Sequence, residues 1–249
     1  TAIGNRPVYD ITLWEVKNGK ETAVNLSGKT VSIAIPYTPA KNEQPGNLYA
    51  VYVDENGNVQ WISKSSYNMD QKAVIFVAEH FSIYGIGYKN QIPAFTDVNN
   101  HWAKDNMLFV VSRGLLSGTS ATTFDPNGKL TRAMAVQILY NLEGQPIVTG
   151  TTSFADSTAH WAATPIAWAE QTGVVDGYED NTFRPENNVT RQEFAQMLYN
   201  YAAYKGYDLT AKGDLSQFTD GDSVREWAVT AMSWANGNAL INGHDDGTL

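Results

Sequence analysis

Through the first 90 residues, apolar positions recur in the short period of strands. Val31, Ile33 and Ile35 alternate with Ser32 and Ala34, the spacing of a half-buried strand. Pro36 cannot donate to a ladder, so it ends that strand or places it at an edge. Val8, Ile11, Leu13 and Val16 lie in a stretch rich in β-branched and aromatic residues. Leu48–Val53 and Val59–Ile62 flank Asp54-Glu55-Asn56-Gly57-Asn58, where the Asn-Gly pair supplies the positive φ angles of a hairpin turn. Ala73–Val77 and Phe81–Tyr88 add two more strands. Together they predict an all-β, sandwich-like module over residues 1–90.

Beyond that module the pattern becomes a repeat. Phe95-Thr96-Asp97-Val98 leads to His101-Trp102, Phe154-Ala155-Asp156-Ser157 to His160-Trp161, and Phe218-Thr219-Asp220 to Glu226-Trp227. The starts lie 59 and 64 residues apart, and 22 residues after each Trp come Phe124, Phe183 and Leu249. Gly118, Gly177 and Gly243 each stand six residues before that position. Asp125-Pro126 and Thr131-Arg132 follow in the first repeat, Arg184-Pro185 and Thr190-Arg191 in the second. The divisions this predicts are a linker at 91–94 and repeats at 95–150, 151–212 and 213–249. The third stops where its Pro, Thr-Arg and second helix should come, so it reads as truncated, to be completed by a partner or by downstream chain.

Each repeat reads as helix, loop, helix. A short amphipathic helix follows the Trp, with Met107, Phe109 and Val110, Ile166, Trp168 and Ala169, or Met232, Trp234 and Ala235 as its apolar marks. Gly114 and Gly173 suit a left-handed C-terminal cap. Thr131 and Thr190 cap a second helix, and Thr190 with Glu193 has the spacing of a capping box, which Met134 breaks in the first repeat. One such unit cannot cover its own apolar face, so several must pack together. The expected fold is therefore multidomain: a β-sandwich-like module, then all-α repeats.

Charge sharpens the division. Residues 1–93 carry eight basic and eight acidic side chains; the remainder carries nine and eighteen, which accounts for the whole net charge of −9. The step falls at Asn90-Gln91-Ile92-Pro93. An acidic chain lacks the broad basic footprint of a nucleic-acid binder, though a local basic pocket stays open to it. The 249 residues include no cysteine, which removes disulfides, Cys-based zinc sites and a Cys nucleophile. No apolar run reaches the roughly 18 residues of a membrane-spanning helix. With Thr1 in place of Met and no signal segment, the chain reads as a mature product or a fragment of something longer.

Phe-x-Asp, His-Trp, a Gly-x-x-x-Gly turn, Phe-x-Pro and Thr-Arg, in that order twice over, resemble S-layer homology domains across residues 94–249. The β-module resembles one found before wall-anchoring repeats in secreted proteins of Gram-positive bacteria, through Tyr9-Asp10-Ile11, the Tyr52–Gly57 hairpin and His80-Phe81-Ser82. The first resemblance implies three repeats packed as a pseudo-threefold helical bundle. Its grooves would bind a secondary cell wall polysaccharide, often one bearing pyruvate ketals, and so hold an extracellular protein on the wall or in the surface layer.

The chemistry of such a ligand selects candidate residues. A ketal carboxylate suits the planar fork of Arg132 and Arg191, the arginines of the Thr-Arg pairs, placed where a helix start also favours an anion. A sugar ring suits Trp102, Trp161 and Trp227, with Asp97, Asp156 and Asp220 near in sequence, and Gly118, Gly177 and Gly243 allow close approach to backbone. The competing readings are core tryptophans, capping aspartates and merely solvated arginines. Glu79-His80-Phe81-Ser82 invites a hydrolase reading, but neighbouring strand residues face opposite ways, so His80 is read as structural. The acidic clusters at Asp176–Asn181 and Asp245-Asp246 lack the calcium-loop pattern. No catalytic residue, metal site or cofactor is predicted. The alternatives are an anchor and spacer segment of a polysaccharide hydrolase with its catalytic domain elsewhere, or a self-assembling lattice protein.

Overall fold

A computed structural model describes residues 3–89 and 95–249, so the expected linker at 91–94 lies outside the described residues. The chain forms two compact units, Thr1–Pro126 and Asn127–Leu249.

In the first unit, β1 (Val8–Asp10), β9 (Ile83–Tyr88), β5 (Leu48–Val53) and β6 (Val59–Ile62) form one antiparallel sheet in the order β1-β9-β5-β6. A second holds β4 (Val31–Pro36), β8 (Ala73–Ala78) and β7 (Ser65–Asn68). Ile35, Val74 and Phe76 of the second sheet pack with Leu48, Ala50, Tyr84 and Ile86 of the first in one buried cluster. A turn forms at 54–58, but Gly57 (φ +79°) supplies its positive φ without Asn56; the Asp54 carboxylate holds the turn by accepting from the Asn56 and Asn58 N–H groups at 2.9 and 2.8 Å. The third sheet is a hairpin, β2 (Trp14–Lys17) with β3 (Lys20–Ala23), turned at Asn18 and Gly19 (φ 52° and 76°) and exposed at every residue.

Helix α1 (Lys104–Ser112) belongs to this unit. The Tyr49 hydroxyl donates to the Ser112 carbonyl, and Ser112 Oγ donates to the Gly46 carbonyl at 3.0 Å. The Arg113 guanidinium lies over the Tyr49 ring, 3.3 Å from its centre, and donates to the Leu48 carbonyl at 2.6 Å. Gly46 packs against Phe109, where an added Cβ would lie 3.4 Å from the Phe109 Cα, in van der Waals contact.

The second unit holds α2 (Arg132–Leu142), α3 (Ala163–Gln171), α4 (Arg191–Tyr204) and α5 (Val229–Gly237). Thr131 and Thr190 cap α2 and α4 as expected, and Thr190 with Glu193 completes the capping box. Gly173 takes φ +69° past the end of α3. The packing is offset by half a repeat: α2 pairs with α3 of the next repeat, and α4 with α5. Ala133, Val136 and Leu139 of α2 meet Ile166 and Trp168 of α3, and Ala195 and Ala202 of α4 meet Ala231 and Trp234 of α5.

The expected fold class, a β-sandwich followed by all-α repeats in a pseudo-threefold bundle, is corrected by this architecture. The β-part has three sheets, one of them a solvated hairpin. The part after it is mixed: segments 143–162, 172–190 and 205–228 are each longer than the helices they join. They include three short 3-10 turns, at Leu215–Gln217, Gly221–Ser223 and Glu226–Ala228, and Thr131 makes a β-bridge with Asn188. The physical reason is that these Gly-, Asn-, Asp- and Thr-rich segments are built structures with their own hydrogen bonds, not slack between helices.

In each repeat the loop that follows the first helix (α1, α3 or α5) is closed on the Phe that opens the repeat. An alanine Cβ at Gly118, Gly177 or Gly243 would lie 2.4, 2.2 or 2.4 Å from Cε1 of Phe95, Phe154 or Phe218. Phe154 is buried and stacks on Phe183, so it has little room to yield. Gly177→Ala is therefore expected to destabilise the second unit by about 1–3 kcal/mol through overpacking. Urea unfolding checks this, and an unchanged midpoint would show that the Phe154 ring can move aside.

Candidate functional site

A groove of about 1120 Å³ opens in the second unit. The Val174–Asp180 loop, a half-buried face of α4, the start of α2 and the segment carrying Arg225 and Trp227 line it. Its order starts from Arg132, the first residue of α2 and only 5% exposed. Arg132 Nε donates to the Phe183 carbonyl at 2.8 Å and Nη1 to Glu193 Oε1 at 2.9 Å. The guanidinium also lies over the Phe183 and Tyr178 rings, 4.6 and 4.9 Å from their centres. The first turn of α2 is likewise occupied: the N–H groups of Arg132 and Ala133 donate to the carbonyls of Asn187 and Pro185, both at 2.9 Å, and that of Met134 to Thr131 Oγ1 at 3.2 Å. The helix start therefore holds the next repeat's loop, where the sequence led us to expect N–H groups open to an anion.

Glu193 gathers the opposite wall. It accepts from the Thr190 N–H and Thr190 hydroxyl at 2.9 Å and from the Tyr178 hydroxyl at 2.7 Å, besides pairing with Arg132. Burial pushes its pKa up, but those hydrogen bonds and the Arg132 charge outweigh burial and hold it below the usual carboxylate range. Arg184, exposed, donates to Asp180 at 2.9 Å and lies 3.9 Å from the centre of the Tyr178 ring. The groove thus carries three arginines, Arg132, Arg184 and Arg225, against four carboxylates, Asp176, Glu179, Asp180 and Glu193. The carboxamides of Gln192, Gln196 and Asn200 run along its α4 wall at i, i+4 and i+8.

Of the residues singled out by sequence, this groove brings together Arg132, Gly177 and Trp227, which is 51% exposed. A smaller cavity of about 190 Å³ holds Arg191 and Asp220. There the Arg191 guanidinium donates to the Asn242 carbonyl, and Asp220 accepts from the Leu249 N–H at 2.8 Å. Asp156 accepts from the N–H groups of Phe183 and Arg184 at 2.9 and 2.8 Å, and these bonds outweigh its partial burial to hold its pKa low. In the first unit Asp97 does the same for Phe124 and Asp125, whose N–H bonds depress its pKa. Trp102, in the first unit, is 89% exposed and Trp161 is 59% exposed, so neither is core. Trp161 Nε1 donates weakly to Glu186 (3.4 Å), which also bonds His160 at 2.6 Å. Gly118 and Gly243 sit against their phenylalanines. Sequence reasoning missed Tyr178, Arg184, Arg225 and the α4 carboxamides. Arg184 occupies the variable place of Phe-x-Pro, where repeat one has Asp125, so the repeat carried no signal for it. Among the described residues no group of three or more His, Asp or Glu is placed to hold a metal ion, and no helix is long and apolar enough to cross a membrane.

The depressed pKa of Glu193 has a definite consequence for stability. It stabilises the fold above the unfolded carboxylate value of about 4.3, and that contribution is lost as pH falls through the lower folded value. Glu193→Gln, which leaves Arg132 without its anion, is expected to cost about 2 kcal/mol near neutral pH. The gap between the two proteins should close as pH drops below about 4. Urea unfolding at a series of pH values checks this; a gap constant with pH would remove the charge from the account.

The sequence comparisons agree with the repeat pattern. The S-layer homology domain model matches residues 94–135 and 153–195. The chain is 27% identical over 242 residues to an amylopullulanase of Thermoanaerobacterium thermosulfurigenes, covering 95% of this chain and 12% of that protein. It is 33% identical over 145 residues to cell surface glycoprotein 1 of Acetivibrio thermocellus, 55% of this chain and 6% of that one. It is 29% identical over 159 residues to the surface-layer 125 kDa protein of Lysinibacillus sphaericus, 62% and 13% respectively. The chain therefore spans only a small part of each of these relatives. Residues 94–135 and 153–195 are S-layer homology domains, and the chain belongs to the extracellular, cell-wall-associated proteins that carry them.

Proposed function

We propose that this segment holds its parent protein non-covalently on the cell wall by binding an anionic, pyruvylated secondary cell wall polysaccharide in the grooves of its repeats. S-layer homology domains are anchoring modules without catalytic function, and the segment acts as one. The observation that carries the reading is the larger groove, where arginines, the exposed Trp227, the half-buried Tyr178 and a line of carboxamides share one concave surface. A ketal carboxylate calls for a guanidinium fork, and a sugar ring for a flat apolar plate bordered by hydrogen-bonding groups. Arg132, Gly177 and Trp227 contribute to that groove, Arg191 and Asp220 to the smaller cavity. In this reading Asp156 and Asp220 act by holding the loops that shape the sites, Asp97 holds the corresponding loop of the first repeat, and the exposed Trp102 and Trp161 offer further plates for sugar rings.

A second reading concerns the parent protein. The match to amylopullulanase covers 95% of this chain, β-part included, whereas the surface-layer protein matches 62%. This favours an anchor and spacer segment of a polysaccharide hydrolase, with catalysis carried outside residues 1–249.

Calorimetric titration with purified wall polymer, before and after mild acid removal of its ketals, tests the proposal. Binding is expected to the native polymer and to fall at least about tenfold without ketals, the worth of a charge-assisted hydrogen bond. Arg191→Ala should weaken it by a similar factor. Binding that ignores the ketal would overturn the anionic part of the reading.

A further inference from the structure

Arg225 stands where the other two repeats carry Asn100 and Ala159, so nothing in the repeat pattern foretells it. It lines the groove two residues ahead of Trp227. Its backbone is tied down on both sides: the N–H donates to Gln192 Oε1 of α4 at 3.0 Å, and the carbonyl accepts from the Ala228 N–H at 2.8 Å. The side chain is exposed, and among the described residues no carboxylate pairs with it.

The other two arginines of the groove are committed. Arg132 is only 5% exposed, with Nε on the Phe183 carbonyl and Nη1 on Glu193, so little of its fork is offered to a ligand and its charge is already paired. Arg184 is paired with Asp180 and laid on the Tyr178 ring. Asp176 and Glu179 also line the groove, which disfavours a ligand carboxylate beside them. We infer that Arg225, with Trp227 lining the same groove, is the subsite of this groove that reads the ligand's acidic group, Arg225 taking the carboxylate and Trp227 a sugar ring. The inference rests on the reading above, that the groove receives an acidic wall sugar. It moves the direct contact from the repeated Thr-Arg arginine to a residue peculiar to the third repeat. A guanidinium needs donors still free to offer, and a backbone anchor keeps it aimed without spending them.

The test compares the full chain with Arg225→Gln and Arg225→Lys by calorimetry, using purified wall polymer with its ketals intact and with them removed. We expect R225Q to bind the intact polymer at least tenfold more weakly than the parent, and R225K, which keeps charge but loses the fork, to fall between. On ketal-free polymer the three should bind alike. The unfolding midpoints should coincide, because the Arg225 side chain supports no ion pair. R225Q binding the intact polymer within twofold of the parent, while the parent still discriminates by ketal, would overturn the inference and leave the groove's function standing. A parent that binds both polymers alike, or neither, would overturn both. Failure of the wider reading thus shows in the parent and failure of the inference only in the variant.

Discussion

The backbone N–H groups at 124–125, 183–184 and 249 belong to no helix or strand, and one aspartate carboxylate in each repeat takes them. Asp97, Asp156 and Asp220 reach across 27 to 29 residues to do so. Beside each carboxylate a backbone bond repeats the closure: Thr96, Ala155 and Thr219 donate to the carbonyls of Thr122, Asn181 and Gly247. The opening Phe then fills the space that a glycine leaves vacant. A long loop would ordinarily be mobile. Here its ends are joined, its polar groups satisfied and its inner side packed, and it becomes a wall against which a helix start can be built.

That wall explains the offset packing. The N–H groups that open α2 bond to carbonyls of the second repeat's loop, and Arg132 inserts its guanidinium between that loop and Glu193 of α4. A repeat therefore completes itself on its successor, so a groove is a product of two or three repeats and not of one. The charge that makes the groove resemble an anion site is also part of its frame. A buried guanidinium already held by a carbonyl and a carboxylate contributes to the frame of the groove more readily than to capture of a ligand.

The legible features were those with local physics. The turn at 54–58, the Thr190–Glu193 capping box and the cap at Gly173 each follow from a few adjacent residues, and each stands where expected. Strand β7 was not foreseen, because Ser65-Ser66-Tyr67-Asn68 has little apolar alternation and is held by pairing with β8. The all-α expectation failed for a related reason: periodicity detects helices well and says nothing of a loop whose order comes from one distant carboxylate. Equivalence between repeats located the glycines and aspartates but suggested ligand contact, whereas their partners are the opening phenylalanines and the loop N–H groups. Arg225 was invisible for the opposite reason, having no counterpart to draw attention to it.

The acidic balance constrains how such a site can work. A net charge of −9, gathered after residue 93, cannot attract an anionic polymer, and beyond a Debye length, about 8 Å at physiological ionic strength, it is largely screened. Long-range steering then contributes nothing to capture, and recognition has to arise at contact, from donors already aimed and rings already exposed. A groove whose framework arginines are neutralised by Glu193 and Asp180 meets that condition, since it presents little field to the surroundings and keeps its directional chemistry for the ligand it touches. On the proposed reading, weak single contacts suffice because two cavities lie on the same unit, and a polymer held at one would be presented to the other at high effective concentration. The proposed attachment to wall sugars therefore asks of each groove selectivity at short range, and leaves overall strength to the number of grooves engaged.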